Sequence, residues 1–374
     1  MPIKLPVFSK RFQRQMVSVT PAFDLEMVHI AEIRLEKMVA EQIVSSSLAG
    51  TLRQILQEHY CHPSVIGLSS YSQQVTVLNN RLWKQLFPTF KTLPEIFYIE
   101  QEKIVSQLLK SDLSNPKSLA WSVMFDPALR EKILNNLDGV RGCWEWSKLV
   151  QQCHAHPEKI FQQHSREKCG TIFFWGIDRS KRRVPLILWT NTSKQEMLRG
   201  IDDYGQVWEI PYTPQAIIKG LHENTLLPSN FTCFLVLSFA RGLVCVGGYF
   251  QSDYLPTIQQ GVAAALQNIS GYDKMAYLVA QVPTNWYLDS MLSCMTRLEG
   301  GLLIPAGPIE IIASGGLTND DLEKMLALTI REAHLADMYD TTTDAVPIEL
   351  RQPGWKKQLA SDCFQLLEGK IVAK

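Results

Sequence analysis

Apolar residues in the first third of the chain recur at spacings of three and four. From Pro21 to about His62, Leu25, Val28, Ala31, Leu35, Met38 and Val39 fall on one stripe. This predicts one long amphipathic helix, or two broken near Ser45 to Gly50. Pro63 ends the pattern, because a proline disfavours helical geometry in the residue before it. Similar periodicity predicts helices at Val75 to Phe87, Leu93 to Lys110 and Asp126 to Leu137. In the last, Asp126 is placed as N-cap, Pro127 takes the first helical position and Gly139 lies just past the end.

The pattern changes at about Gly170. Two β-branched and aromatic runs, Thr171 to Ile177 and Val184 to Thr190, flank the polar connector DRSKRR, which predicts a β-hairpin. A third strand is expected at Gln206 to Ile210, and a helix capped by Thr213 with Pro214 as its first residue. Leu226 to Leu243 is a continuous apolar run without a period; Ser229 as a cap and Gly242 as a stop favour a helix. Pro256 to Gln267 reads as helix. GLLIP and IEIIA, framed by glycine and proline, read as short strands. TNDDLEKMLALTIREAHLADMY reads as one helix with a capping-box start at Thr318 and Asp321. The last thirty residues suggest a loop and a short amphipathic helix.

The expected fold is therefore α+β: a helical domain over residues 1–150, a polar linker over 151–169, and a mixed domain with a small sheet over 170–374. The length of 374 residues agrees with two cores, since single cores stop growing at roughly 250–300 residues.

Charge narrows the function classes. Lys plus Arg equals Asp plus Glu at 37 each, so no net charge drives attachment to nucleic acid or to an anionic membrane, and neither partner is expected. The opening MPIKLPVFSKRFQRQ is basic, but no apolar stretch of a signal peptide follows it. Phe231 to Phe250 is apolar, yet Arg241 and three glycines mark it as a buried core segment rather than a span. Eight cysteines without a CxxC pair suggest reduced thiols and a soluble, cytoplasmic protein.

Candidate chemistry is dispersed. Cys153, His154, His156, His164 and Cys169 are metal-ligand types in close sequence, but their spacing matches no standard zinc pattern and their setting is that of a solvated linker. No metal or cofactor is assigned. The connector places Arg179, Lys181, Arg182 and Arg183 at a hairpin tip, where arginine forks suit an anion and where a merely solvated turn would also be charged. His222 has the titration range of a general base, while its place near a helix C-terminus also suits a cation. Arg241 inside an apolar run needs a carboxylate or an anionic ligand, and Asp253 is its nearest candidate partner in sequence. Behind Gly247 and Gly248, Gln251, Asp253 and Tyr254 complete the expected pocket wall with Arg241.

No GxSxG, HExxH, P-loop or kinase signature is present. The resulting expectation is an enzyme or small-ligand binder for a small anionic metabolite. Arg182, Arg183, Arg241 and Gln251 would hold the ligand, and His222, Asp253 and Tyr254 would serve as catalytic acid/base groups. A non-catalytic interaction module using the N-terminal helices is the alternative.

Overall fold

The computed structural model describes Val7 and residues 15–145, 170–248, 250–286, 293–297 and 303–374. The architecture is α+β: helices dominate as far as residue 136 and three small sheets follow. The chain forms two compact units, each discontinuous in sequence. One holds Val7 and the described residues of 21–98 and 289–374; the other holds 15–20 and those of 99–288.

In the first unit, α1 (Leu25–Ala40) and α2 (Ser46–Ile55) cover the predicted stretch from Pro21, α3 (Pro63–Ile66) is an unpredicted turn of helix starting at Pro63, and α4 (Tyr71–Leu86) is the helix expected from Val75, begun four residues earlier. The break falls at residues 41–45, where Ser45 caps α2 through Leu48 N. A π-turn, Leu56–Tyr60, extends α2. Of the stripe, Val28, Ala31 and Leu35 are buried and Met38 and Val39 half-buried, while Leu25 at its start is exposed. A small sheet joins this helical part: β7 (Cys294–Arg297) pairs antiparallel with β8 (Leu303–Pro305) and parallel with β9 (Val372–Ala373). Around it lie α12 (Pro308–Ala313), α13 (Asn319–Ala327), α14 (Ile330–Ala345) and α15 (Trp355–Leu367). The early and late segments are tied by Leu317 N donating to Leu86 O at 2.7 Å, and Phe87 packs beside Leu317 and Val372.

The second unit is built from α5 (Gln101–Leu113), α6 (Leu119–Phe125), α7 (Pro127–Asn136), α8 (Pro214–His222), α9 (Asn230–Phe234), α10 (Gln251–Gln267) and α11 (Asp273–Ala280). A second π-turn, Leu235–Phe239, continues α9. These helices enclose two antiparallel three-stranded sheets. In the first, β1 (Phe174–Ile177) lies between β2 (Arg183–Pro185) and β6 (Leu226–Pro228); in the second, β4 (Glu196–Ile201) lies between β3 (Ile187–Thr190) and β5 (Val207–Pro211). Gly200 lets the sheets approach, since a Cβ there would stand 2.4 Å from Pro185 O. Val105 and Leu109 of α5, Phe173, Phe174, Phe231 and Leu255 share one core.

Several sequence expectations change. IEIIA is helix α12, not a strand, because Pro308 presets the first helical φ and the Glu310 carboxylate accepts from Gly307 N at 3.0 Å. Leu226–Leu243 divides into β6 and α9: Leu226 pairs with Gly176, and Ser229 then caps the helix through Thr232 N. The helix expected from Leu93 starts only at Gln101. The helix expected from Thr318 onward is two, because Thr329 forms a second capping box with Glu332. The strand at Glu196–Ile201 had no clear alternation. The packing also divides the chain differently from 1–150 and 170–374: α5–α7 share a core with the sheets after Gly170, and Ile309 of α12 packs with Leu35, Ala49 and Leu52. An apolar stripe shows that a face is covered, not by which distant segment. The proposed linker, with Cys153, His154, His156, His164 and Cys169, lies outside the described residues. Among the described residues, no helix is long and apolar enough to cross a membrane; the apolar run is core from Phe231 to Phe239, whereas Leu243 and Val246 beyond it are exposed.

Candidate functional site

A cavity of about 520 Å³ opens in the second unit. One wall is the loop after α7. Gly139 N donates to Trp144 O at 2.7 Å and Cys143 N to Val140 O at 3.0 Å, which closes the loop on itself. Trp144 fixes it: the buried indole donates Nε1–H to Leu134 O and meets Phe231 and Phe173 edge-on, at centroid distances of 5.3 and 5.8 Å. With Trp144 turned into the core, Arg141, Gly142, Cys143 and Glu145 line the cavity.

The opposite wall comes from β1 and β2. Arg183 and Trp175 both line it, with the guanidinium carbon 4.8 Å from the indole centroid. Arg141 lies in the same relation to Phe250, at 3.7 Å. Both arginines are exposed at the cavity, and neither forms an ion pair among the described residues. The rings hold each planar group in place without neutralising it.

The floor uses the turn into β1. Phe173 adopts φ of 60°, a left-handed conformation rare for a bulky side chain, and is fully buried. Its carbonyl accepts from Ser229 N at 2.8 Å and Thr232 Oγ1 at 2.6 Å. The reversal sends the phenyl ring into the core while Gly170 and Thr171 face the cavity. Gly170 is itself obligatory, since its φ is +72° and a Cβ would stand 2.2 Å from Cys143 O.

Glu102, in the first turn of α5, and Cys233, on α9, complete the lining together with Ser229 and Asn230. Burial pushes the Glu102 carboxyl above the usual range, against a hydrogen bond from its own amide; Glu100 adds to the shift. Burial also raises the Cys143 thiol to about 12 and raises Cys233 further, so neither is a thiolate near neutrality. Tyr254 reaches this region from α10: it bonds the Asn230 side chain, its ring lies 3.5 Å from where a Gly142 Cβ would be, and burial raises its phenol.

Of the residues expected from sequence, Arg183 alone lines this cavity, and Tyr254 stands behind it. Arg182 pairs with Asp203 at 3.1 Å, its backbone amide held by the buried Asp178 at 2.8 Å. Arg241 bonds Asp112, not Asp253, and lines a separate pocket of about 320 Å³ with Phe239, Leu278 and Val279. Gln251 donates to Cys245 O at 2.9 Å. Asp253 and His222 are exposed and line neither cavity. The residues Arg141, Glu102 and Trp175 were not singled out by sequence. The available signal was GVRGCWE, in which Arg141 lies between the turn glycines Gly139 and Gly142 and is followed by the core tryptophan Trp144.

Known protein families, curated proteins and solved structures offer no match to this chain. The site therefore rests on its own geometry. Among the described residues no group of three His, Cys, Asp or Glu side chains could hold a metal ion.

Proposed function

We propose that the second unit binds a small anionic molecule, with Arg141 and Arg183 as its contacts. The observation that carries this reading is the pair of ring-stacked guanidinium groups lining one cavity without carboxylate partners among the described residues. Guanidinium forks match carboxylate, sulfate and phosphate oxygens, and stacking preserves that geometry before the ligand arrives. Asn230, backed by Tyr254, adds a neutral donor. A cytoplasmic small metabolite is the class of ligand that suits the cavity's volume and polarity.

The test is a thermal-shift titration with malonate, sulfate and sugar phosphates on the wild type, Arg141→Ala and Arg183→Ala. A ligand that binds only the native state stabilises it by about 2.7 kcal/mol at a hundredfold excess over Kd. The reading expects a rise in Tm for the wild type that is lost in both variants at unchanged unliganded Tm. Equal shifts in all three proteins would refute it.

The alternative, docking through the N-terminal helices, draws on Leu25, Ile33 and Ile43, which are exposed. Exposed apolar residues scattered singly are ordinary, so this reading has weaker support.

A further inference from the structure

We infer that anion binding in this cavity is coupled to the uptake of one proton by Glu102. The inference rests on the anion reading above and adds to it a condition on when the site binds. Glu102 lines the same cavity as Arg141 and Arg183, yet it forms no ion pair with either, nor with any other cation among the described residues. A carboxylate there opposes the anion the arginines attract, since both offer only acceptor oxygens. A neutral carboxyl instead presents an O–H donor. Taking one proton from solvent onto a carboxylate oxygen removes the repulsion and adds a contact.

The titratable groups around Glu102 are few. On its own element, Glu100 is the near charge and Lys103 is exposed. From α9, the facing group is the Cys233 thiol, neutral through the physiological range because burial raises it. On α8, Lys219 and His222 are both exposed, and Lys219 reaches Glu223 at 3.9 Å. The other elements packed on α5, namely α6, β6 and the second π-turn, carry no titratable side chain. Across the cavity stand the permanently charged Arg141 and Arg183, the neutral Cys143 thiol and the Glu145 side chain, and Glu102→Gln separates Glu102 from Glu145 in the test below. Among the described lining residues there is no histidine. Burial already favours the neutral form of Glu102, so the protonation that an anion demands is of low cost there.

Sulfate is the probe, because it stays a dianion throughout the range and any proton taken up belongs to the protein. Calorimetric titration between pH 8 and 5.5, repeated in buffers of different ionisation enthalpy, gives both Kd and the number of protons exchanged. The expected result is an affinity that rises as pH falls, by about tenfold per unit above the carboxyl's titration, with about one proton absorbed per sulfate. Glu102→Gln, a neutral amide of similar shape, is expected to bind tightly at every pH with no proton uptake; Glu102→Ala serves if the amide does not fold. Sulfate binding that is flat with pH and absorbs no proton would overturn the coupling while leaving the anion site intact. A pH dependence that persists in Glu102→Gln would overturn it by assigning the proton to another group. Absence of binding by sulfate and malonate at every pH would overturn both the coupling and the site.

Discussion

Arg241 grips Asp112 with both arms: Nη1 donates to one carboxylate oxygen at 3.0 Å and Nη2 to the other at 2.8 Å. Nη1 also donates to Val236 O at 2.9 Å, in the π-turn where a carbonyl has lost its α-helical partner. The pair thus secures the end of α5 to the end of the α9 segment. Removing Asp112 leaves the Arg241 guanidinium without its carboxylate beside Phe239 and Val279. Asp112→Ala is expected to cost about 1–3 kcal/mol in urea unfolding. The double variant with Arg241→Ala should cost less than the sum of the singles. Additive costs would show that the two side chains act independently.

This pair also shows what the sequence can disclose. An arginine inside an apolar run has to find an oxygen partner, and that requirement was legible. The partner was not, because Asp112 lies 129 residues away in sequence and nothing local distinguishes it from Asp253. The helix starts at Asp126, Thr213 and Ser229 were legible because a cap is a contact within three residues. The cavity was not, since Glu102, Arg141 and Arg183 meet only after the second unit has formed. Arg182 and Arg183 looked alike in the connector; strand register separates them, with Arg183 opposite Ile177 and Arg182 turned to Asp203.

Phe173 offers a test of backbone conformation free of cavity effects. Substituting a buried phenylalanine by alanine costs about 3–5 kcal/mol. Glycine normally costs a further 0.5–1 kcal/mol or so relative to alanine. At φ of 60° that order should invert, because alanine keeps a Cβ where left-handed geometry disfavours it by about 1–2 kcal/mol. Chemical denaturation should therefore find Phe173→Gly more stable than Phe173→Ala.

Gly200→Ala probes the join between the two sheets of the second unit. The added methyl would meet Pro185 O at 2.4 Å and the Leu186 side chain at 2.9 Å, and a backbone carbonyl cannot swing aside. The expected loss is about 1–3 kcal/mol, by overpacking rather than by strain in φ. Gly205→Ala makes a poor control because its φ is +81°, whereas Gly50→Ala, with open space at its Cβ in helix α2, should be neutral or stabilising.

His59 makes the first unit sensitive to mild acid. It is buried, and Arg81 Nε donates to its Nδ1 at 3.3 Å, so the ring is neutral with its proton on Nε2. Burial, then the Arg81 charge, lowers its folded pKa below the unfolded value. Just below pH 6.5 or so the unfolded chain thus binds more protons, and stability falls as pH is lowered through that range. The Glu332 carboxylate, held to about 2 by Lys370 and Thr329, loses its contribution only below the ordinary glutamate range, so the two effects separate. Tm should drop between pH 7 and 5, and His59→Gln should flatten that drop. An unchanged slope would assign the acid sensitivity elsewhere.

The parallel pairing of β9 with β7 sets an order of manufacture. A ribosome translating this chain finishes residues 99–286, and with them the second unit, before residues 303–374 exist. Until then α1–α4 have been made but lack α12 over Leu35 and Leu52, and β7 lacks its neighbour at Val372. The early helices must therefore wait with part of an apolar face uncovered, and a nascent chain paused in that interval is the form on which a chaperone would act.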